Sequence, residues 1–197
     1  MQINQLFQVF RHITPDISEE ELGDLLPMLT ESKLNRSDHL VTAGTNFRKI
    51  NFIVKGSGRM YHVDNNGNET NILLVIENDF LHDYESLLLD HPTKFFIQAT
   101  GDCEFIHIDY RRFEQLLNST KSWEHCGRMI NQFILIETFR QVQAFRFGSA
   151  EQLYLKILAA EPYLIDRFSQ ENLASYIGVK RESLSRIKNR VAKRKRF

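Results

Sequence analysis

The stretch from Ser169 to Arg190, SQENLASYIGVKRESLSRIKNR, constrains the fold of this 197-residue chain more than any other. Ser169 stands where a helix N-cap does, with Gln170 and Glu171 filling the first turn. Leu173, Ala174 and Ile177 share one helix face, and Gly178 is the residue type that takes the left-handed conformation closing a helix. Val179 follows at the corner. Leu184, Ile187 and Val191 then recur at spacings of three and four and bury one face of a second helix. Ala174 is small where that helix must approach closely. The pattern predicts two short helices joined by a tight turn, a helix-turn-helix.

The opposite face of the second helix carries Lys180, Arg181, Glu182, Ser185, Arg186 and Asn189 toward its N-terminal half, the half that a recognition helix inserts into a major groove. Arg presents two parallel donors that match O6 and N7 of guanine, and Glu accepts from N4 of cytosine. Arg181, Glu182, Ser185 and Arg186 are therefore the candidate base readers. Lys180, Lys188, Asn189, Arg190 and Lys193 are candidates for the sugar-phosphate backbone, where contacts position without specifying. A salt bridge from Glu182 to Arg186, four residues on, is a further reading that can hold alongside base contact.

The net charge of zero hides an asymmetry. Residues 1–147 hold 14 Lys and Arg against 20 Asp and Glu, whereas residues 148–197 hold 11 against 5. A basic end on an acidic body is what a module for a polyanion requires. No basic run leads into an apolar stretch at the N-terminus, and no apolar run approaches the ~20 residues of a membrane helix. The expectation is a cytoplasmic chain with no membrane partner. Cys103 and Cys126 stand far apart with no CxxC, which argues against a disulfide scaffold, a zinc ribbon and a four-cysteine cluster.

Upstream, Ser18-Glu19-Glu20-Glu21 is a capping-box pattern ahead of Leu22, Leu25, Leu26 and Leu29, which predicts a short helix. Between Leu40 and Tyr110, β-rich runs at 40–42, 51–54, 59–63, 72–76, 95–100 and 104–108 alternate with turn signals. That spacing predicts a small antiparallel barrel or roll, with Asp64-Asn65-Asn66-Gly67 as a hairpin loop. A short helix follows at 112–117, then a long one from about Ser122 to Phe147. The long helix has two apolar stripes, Cys126, Met129, Phe133 and Ile136 on one side and Ile130, Ile134, Phe139, Val142 and Phe145 on the other. One side can rest on the roll. The other calls for a partner, most simply a second copy, through Met129, Ile130, Phe133 and Ile136. Gly148-Ser149 ends that helix and caps the next.

Arg181-Glu182-Ser183-Leu184-Ser185-Arg186 resembles the recognition helix of the Crp/Fnr (cyclic-AMP receptor/fumarate-nitrate regulator) family of bacterial transcription regulators. Arg181, Glu182 and Arg186 match one branch, and Glu182, Ser185 and Arg186 the other. Phe52-Ile53-Val54-Lys55-Gly56-Ser57-Gly58-Arg59-Met60 is similar to the family's strand–Gly–strand signature, and Arg112 to Leu117 resembles the helix that closes the roll. The resemblance covers essentially the whole chain. It implies an α+β fold: a cyclic-nucleotide-binding-like double-stranded β-helix (jelly roll) over 1–118, a connecting and dimerisation helix over 119–147, and a winged-type helix-turn-helix over 148–197, with few residues after the recognition helix for a wing. It also implies a palindromic double-stranded DNA site with a TGA-like half-site core, Arg181 selecting a further G, a homodimer, a small-molecule effector, and RNA polymerase as a candidate partner.

In the family's phosphate-binding cassette a Gly-Glu pair grips the ribose and an Arg about ten residues later meets the phosphate. Here His82-Asp83 stand at the Gly-Glu positions, and Thr93 near the Arg position, with Lys94 beside it. The candidate ligand pocket is His82, Asp83, Tyr84, Glu85, Thr93, Lys94 and Thr138, the last near where the family contacts adenine. Without the Gly and the Arg, cyclic AMP is not favoured, and the effector is unknown. Two other readings stay open: a β-roll receptor or scaffold acting through protein partners, and a constitutive regulator with a silent sensor. The HxD spacing of His107 and Asp109 would suit a metal enzyme, but no second HxD or HxH supports it, and the expectation is that the protein is not an enzyme.

Overall fold

The computed structural model describes residues 3–194. Helices α1 (Ile3–Ile13) and α2 (Glu19–Gly23) lead into strand β1 (Leu29–Leu34). Strands β2 (His39–Val41), β3 (Lys49–Lys55), β4 (Ser57–Val63) and β5 (Glu69–Ile76) follow, then α3 (Tyr84–Leu89), β6 (Phe96–Ala99) and β7 (Cys103–Asp109). The remainder is helical: α4 (Tyr110–Leu117), α5 (Lys121–Phe147), α6 (Ala150–Ala160), α7 (Pro162–Arg167), α8 (Gln170–Ile177) and α9 (Arg181–Arg194).

The strands form two antiparallel sheets, ordered β1-β7-β3 and β2-β6-β4-β5. Their alternation sorts side chains into two cores. On β3, Ile53 points into the roll with Val41, Met60, Val75, Leu81, Ile97 and Phe105. Its neighbours Phe52 and Val54 point the other way, into a helical layer made by Leu6, Phe10, Leu22, Phe113 and Trp123. A strand buried on both faces reads as a continuous apolar run, which is why Phe52-Ile53-Val54 is legible as sequence.

The helix expected to run from Ser18 through Leu29 is shorter than that. Ser18 and Glu21 form the reciprocal capping box, but the helix ends at Gly23, Pro27 sits in a 3-10 turn, and Leu29 already begins β1. Proline has no N–H to continue the ladder and clashes with the preceding turn. The expectation of a winged-type module also needs correcting. Among the described residues no strand follows Asp109. The one residue between α6 and α7, Glu161, leaves no length for a strand there. The Lys193–Arg196 run extends beyond the described residues.

One set of buried polar groups in the roll is fully paired. His107 is 4% exposed, with Nε2 at 2.7 Å from the Ser32 hydroxyl and Nδ1 at 2.8 Å from Asn51 Oδ1. Asn51 in turn donates to the Leu81 carbonyl at 2.7 Å. Burial pulls the His107 pKa down to about 4. An unfolded imidazole takes up its proton near pH 6.5, so between pH 6.5 and 4 the unfolded chain binds more protons than the folded one. This contribution to stability is therefore full above pH 6.5 and is lost as pH falls through that window. Urea unfolding should show the His107 contribution falling by about 2 kcal/mol between pH 7 and pH 5. His107→Gln should flatten that part of the slope, and an unchanged slope would show that His107 is not its source.

Candidate functional site

The helix-turn-helix has the geometry that its residues prescribe. Ser169 accepts from the Asn172 N–H at 3.1 Å and caps α8. Gly178 ends that helix at φ 81°, and Val179 N–H returns to the Ala174 carbonyl at 2.9 Å. Leu173, Ala174, Ile177, Leu184, Ile187 and Val191 are buried together with Tyr154, Ile157, Leu164 and Phe168. That burial leaves Arg181, Glu182 and Arg186 exposed on one face of α9, with Ser185 half-buried beside them. Among the described residues no ion pair joins Glu182 to Arg186, so both side chains stand ready for other partners.

Lys180, Asn189, Arg190 and Lys193 are exposed and Lys188 is half-buried. Arg190 lies 2.8 Å from Glu151 of α6, which also pairs with Arg194 at 2.6 Å. Both arginines are well exposed, and such surface pairs are weak enough to exchange for phosphates. Glu151 is a residue that sequence reasoning missed, because nothing in a linear pattern brings position 151 beside position 190.

The long helix α5 partitions its apolar residues differently from the expectation. Trp123, Cys126 and Gly127 are buried in the chain's own helical layer, and Ile130 packs against it. Cys126 and Ile130 thus leave the proposed partner face. The exposed apolar residues are Phe133, Leu135, Ile136, Phe139, Val142, Phe145 and Phe147, each about half exposed or more. Leu135 was not singled out from sequence, because a helix apolar on nearly every side has no unique stripe. Met129 is partly exposed at the start of this surface.

The cassette segment brings four of its candidate residues together, but as two pairs that engage each other. Asp83 and Thr93 are both buried, and the Thr93 hydroxyl donates to Asp83 at 2.6 Å. Asp83 also N-caps α3 through the Ser86 N–H. Lys94 is drawn 3.1 Å from Glu85 at the surface. His82 is half-buried, with its pKa pulled to about 4 by burial, and Tyr84 donates to Asn131 of α5. Thr138 lies apart from them, exposed and bonded to the Ile134 carbonyl of its own helix. The described cassette therefore holds no free cation for a buried phosphate. The positions that would grip ribose and phosphate satisfy one another instead.

His107 and Asp109 are likewise engaged structurally. Both ring nitrogens of His107 have partners, and Asp109 caps α4 through the Arg112 N–H at 3.0 Å. Among the described residues no group of three or more His, Cys, Asp or Glu side chains is disposed to hold a metal ion. No described helix is long and apolar enough to cross a membrane.

The helix-turn-helix also touches the roll directly, a contact with no signature in the sequence. Strand β5 lies against α8. The Asn71 N–H donates to the Ser175 hydroxyl at 2.9 Å, which donates on to the Glu69 carbonyl at 3.0 Å. Asn71 Nδ2 donates to the Asn172 carbonyl at 3.1 Å. At the far end, Arg167 of α7 reaches Glu77 at 2.7 Å and the Gly56 carbonyl at 3.0 Å. Burial works to raise the Glu77 carboxyl, but Arg167 and the Gly56 N–H outweigh it and hold it below its usual range.

Residues 31–120 match the cyclic nucleotide-binding domain family. No protein of curated function matches the chain by sequence. Solved structures do. The c-di-GMP-responsive global regulator CLP of Xanthomonas campestris is 16% identical, with 89% of this chain and 92% of that one covered and a TM-score of 0.65. FixK2 of Bradyrhizobium japonicum is 13% identical, covering 84% and 85%, with a TM-score of 0.67. CooA of Carboxydothermus hydrogenoformans, solved as a double mutant, is 17% identical, covering 85% and 78%, with a TM-score of 0.65. At these identities the likeness is one of fold. Residues 31–120 are thus similar to cyclic nucleotide-binding domains, and the chain has the fold of CLP, FixK2 and CooA.

Proposed function

We propose that this protein is a homodimeric, cytoplasmic, sequence-specific DNA-binding transcription regulator of Crp/Fnr type, governed by something other than cyclic AMP. The observation that carries the reading is α9 itself. Its apolar face is fully buried, while Arg181, Glu182 and Arg186 stand free on the opposite face, next to exposed basic residues suited to phosphates. That is the division between base readout and backbone positioning that a major-groove helix needs. CLP is described as a global regulator linking signalling to gene expression, which supports the class without assigning an effector here.

The dimer reading rests on α5. Leu135, Phe139 and Val142 lie at spacings of four and three, with Ile136 beside Leu135, and all four are about half exposed or more, with none of the described residues covering them. An apolar stripe of this length calls for a partner, and the same stripe of a second copy meets it with knobs-into-holes packing. Two recognition helices would then sit about one DNA turn apart, roughly 34 Å, on a near-palindrome. Each half is expected to have a TGA-like core, with Arg181 selecting an added G. The domain division at 118 and 147, RNA polymerase as a partner and a small-molecule effector belong to the same proposal. The effector would act by shifting the population between binding-competent and incompetent dimers.

Selection from random double-stranded DNA should enrich a palindromic motif. Arg181→Ala or Arg186→Ala should each cost about 1–3 kcal/mol of affinity and relax preference at one base pair of each half-site. An identical motif from the double variant would refute this readout. Salt-sensitive binding without any motif would favour a scaffold whose basic end meets other polyanions. Phe139→Glu together with Ile136→Glu should convert the dimer to monomer in analytical ultracentrifugation and abolish binding to the full palindrome, whereas a dimer that persists would move the interface off α5. Calorimetry with cyclic AMP should show no binding, and a saturable heat would mean that the Asp83–Thr93 pair opens for a phosphate.

A further inference from the structure

The β4–β5 hairpin does more than close the sheet. Its register slips between Met60 and Tyr61: Met60 pairs with Leu73 but Tyr61 pairs with Asn71, so Ile72 is an extra, bulged residue. A bulge re-aims the side chains beyond it. Leu74 packs with the core of the helix-turn-helix, and Ile76 packs against that core. Without the bulge, Ile72 would follow them toward α8. With it, Ile72 is exposed, and Asn71, 4% exposed, takes that direction.

Asn71 crosses this junction with two donors and braces Arg59 with its acceptor. Its N–H reaches Ser175, its Nδ2 the Asn172 carbonyl, and its Oδ1 accepts from Arg59 at 3.4 Å. Arg59 is itself largely buried and bonds Gln98 at 2.8 Å, Glu69 at 2.7 Å and Asn172 at 3.3 Å, with its guanidinium 4.0 Å over the Tyr61 ring. A buried arginine and a buried asparagine, fully satisfied only while α8 is in place, specify one docking geometry. The apolar part of the junction is small, Leu74 and Ile76, as in interfaces that open and close.

The docked hairpin borders the reading helix. Glu69 and Thr70 form one wall of an open cleft of about 530 Å³, whose other wall is Ser175, Gly178, Val179, Lys180, Arg181 and Glu182. Residues 64–70 contain Asp64 and Glu69 and no Lys or Arg. A DNA backbone approaching the turn and the start of α9 would meet this hairpin wall and the Glu69 carboxylate, whose charge Arg59 only partly offsets. We propose that the β4–β5 hairpin is an autoinhibitory latch, which docks through Arg59 and Asn71 onto Asn172 and Ser175 and must release before α9 engages DNA. The proposal rests on the DNA-binding reading above and adds where the off state is held and by which residues.

The test uses the full-length protein and the DNA site enriched by selection. Asn71→Ala and, separately, Asn172→Ala should each bind that site about tenfold more tightly than wild type, because apparent affinity scales with the fraction already undocked. A second measurement needs no variant. The Asn71 amide, whose partner is Ser175 Oγ, should exchange with deuterium at least about tenfold faster in the DNA complex than in the free protein, since loss of that partner removes its protection. Equal or weaker binding by both variants, or undiminished protection of Asn71 in the complex, overturns the latch. Weaker binding in particular would mean that the contact supports the reading conformation. If neither wild type nor variants select any motif, the DNA-binding reading fails first, and the latch falls with it.

Discussion

Everything distal to the roll depends on how the first turns of α5 are anchored. Trp123 is fully buried, with its indole edge-on to Phe10 at 5.7 Å and to Phe113 at 6.3 Å. Gly127 lets the helix lie against Leu117, where a Cβ would come within 3.3 Å of the side chain. Aromatic packing of this kind fixes angle as well as position. From that anchor a helix of 27 residues extends about 40 Å. Its far half is apolar yet uncovered, and it ends where the helix-turn-helix begins. The direction of the lever is set by three rings at its base.

The cassette and the helix-turn-helix differ in how much freedom they keep. In the cassette, Asp83 and Thr93 satisfy each other in the interior, Lys94 is held at the surface by Glu85, and the roll is filled by its own side chains. A site closed by direct hydrogen bonds gives up those bonds to admit a ligand, so any ligand must offer equivalent partners. On α9 the reverse holds. The face with Arg181, Glu182 and Arg186 is exposed, and the nearby Arg190 and Arg194 pair with Glu151 at the surface. The joint between the two ends is polar and geometrically specific, built on Arg59 and Asn71.

Legibility varied with the range of the physics involved. The helix-turn-helix was readable because its constraints are local: a cap at Ser169, a positive φ at Gly178 and apolar spacing within two helices. Six strands were readable from alternation and turns. Strand β1 was not, because Thr30, Glu31, Ser32 and Lys33 pair along the sheet while staying mostly at the surface, which leaves no hydrophobic signal. Helix α1 was overlooked although Ile3, Leu6, Phe7, Phe10 and Ile13 recur at helical spacing. The assignment of α5's faces went astray at Cys126 and Ile130, since periodicity shows that two faces are apolar but not which one meets the roll.

The sequence by itself determined the order of modules, the two-helix reading unit with Arg181, Glu182 and Arg186 on its free face, and the departure of the cassette from the Gly-Glu and Arg pattern. These follow from residue type and spacing within one element. Only the tertiary structure decided that Asp83 and Thr93 close on each other, that Leu135 joins the uncovered seam, and that β5 clasps α8 through Asn71. Each of those depends on contacts between residues far apart in the chain. Their distances are set by sheet register, a one-residue bulge and the packing angle of α5, none of which has a local signature.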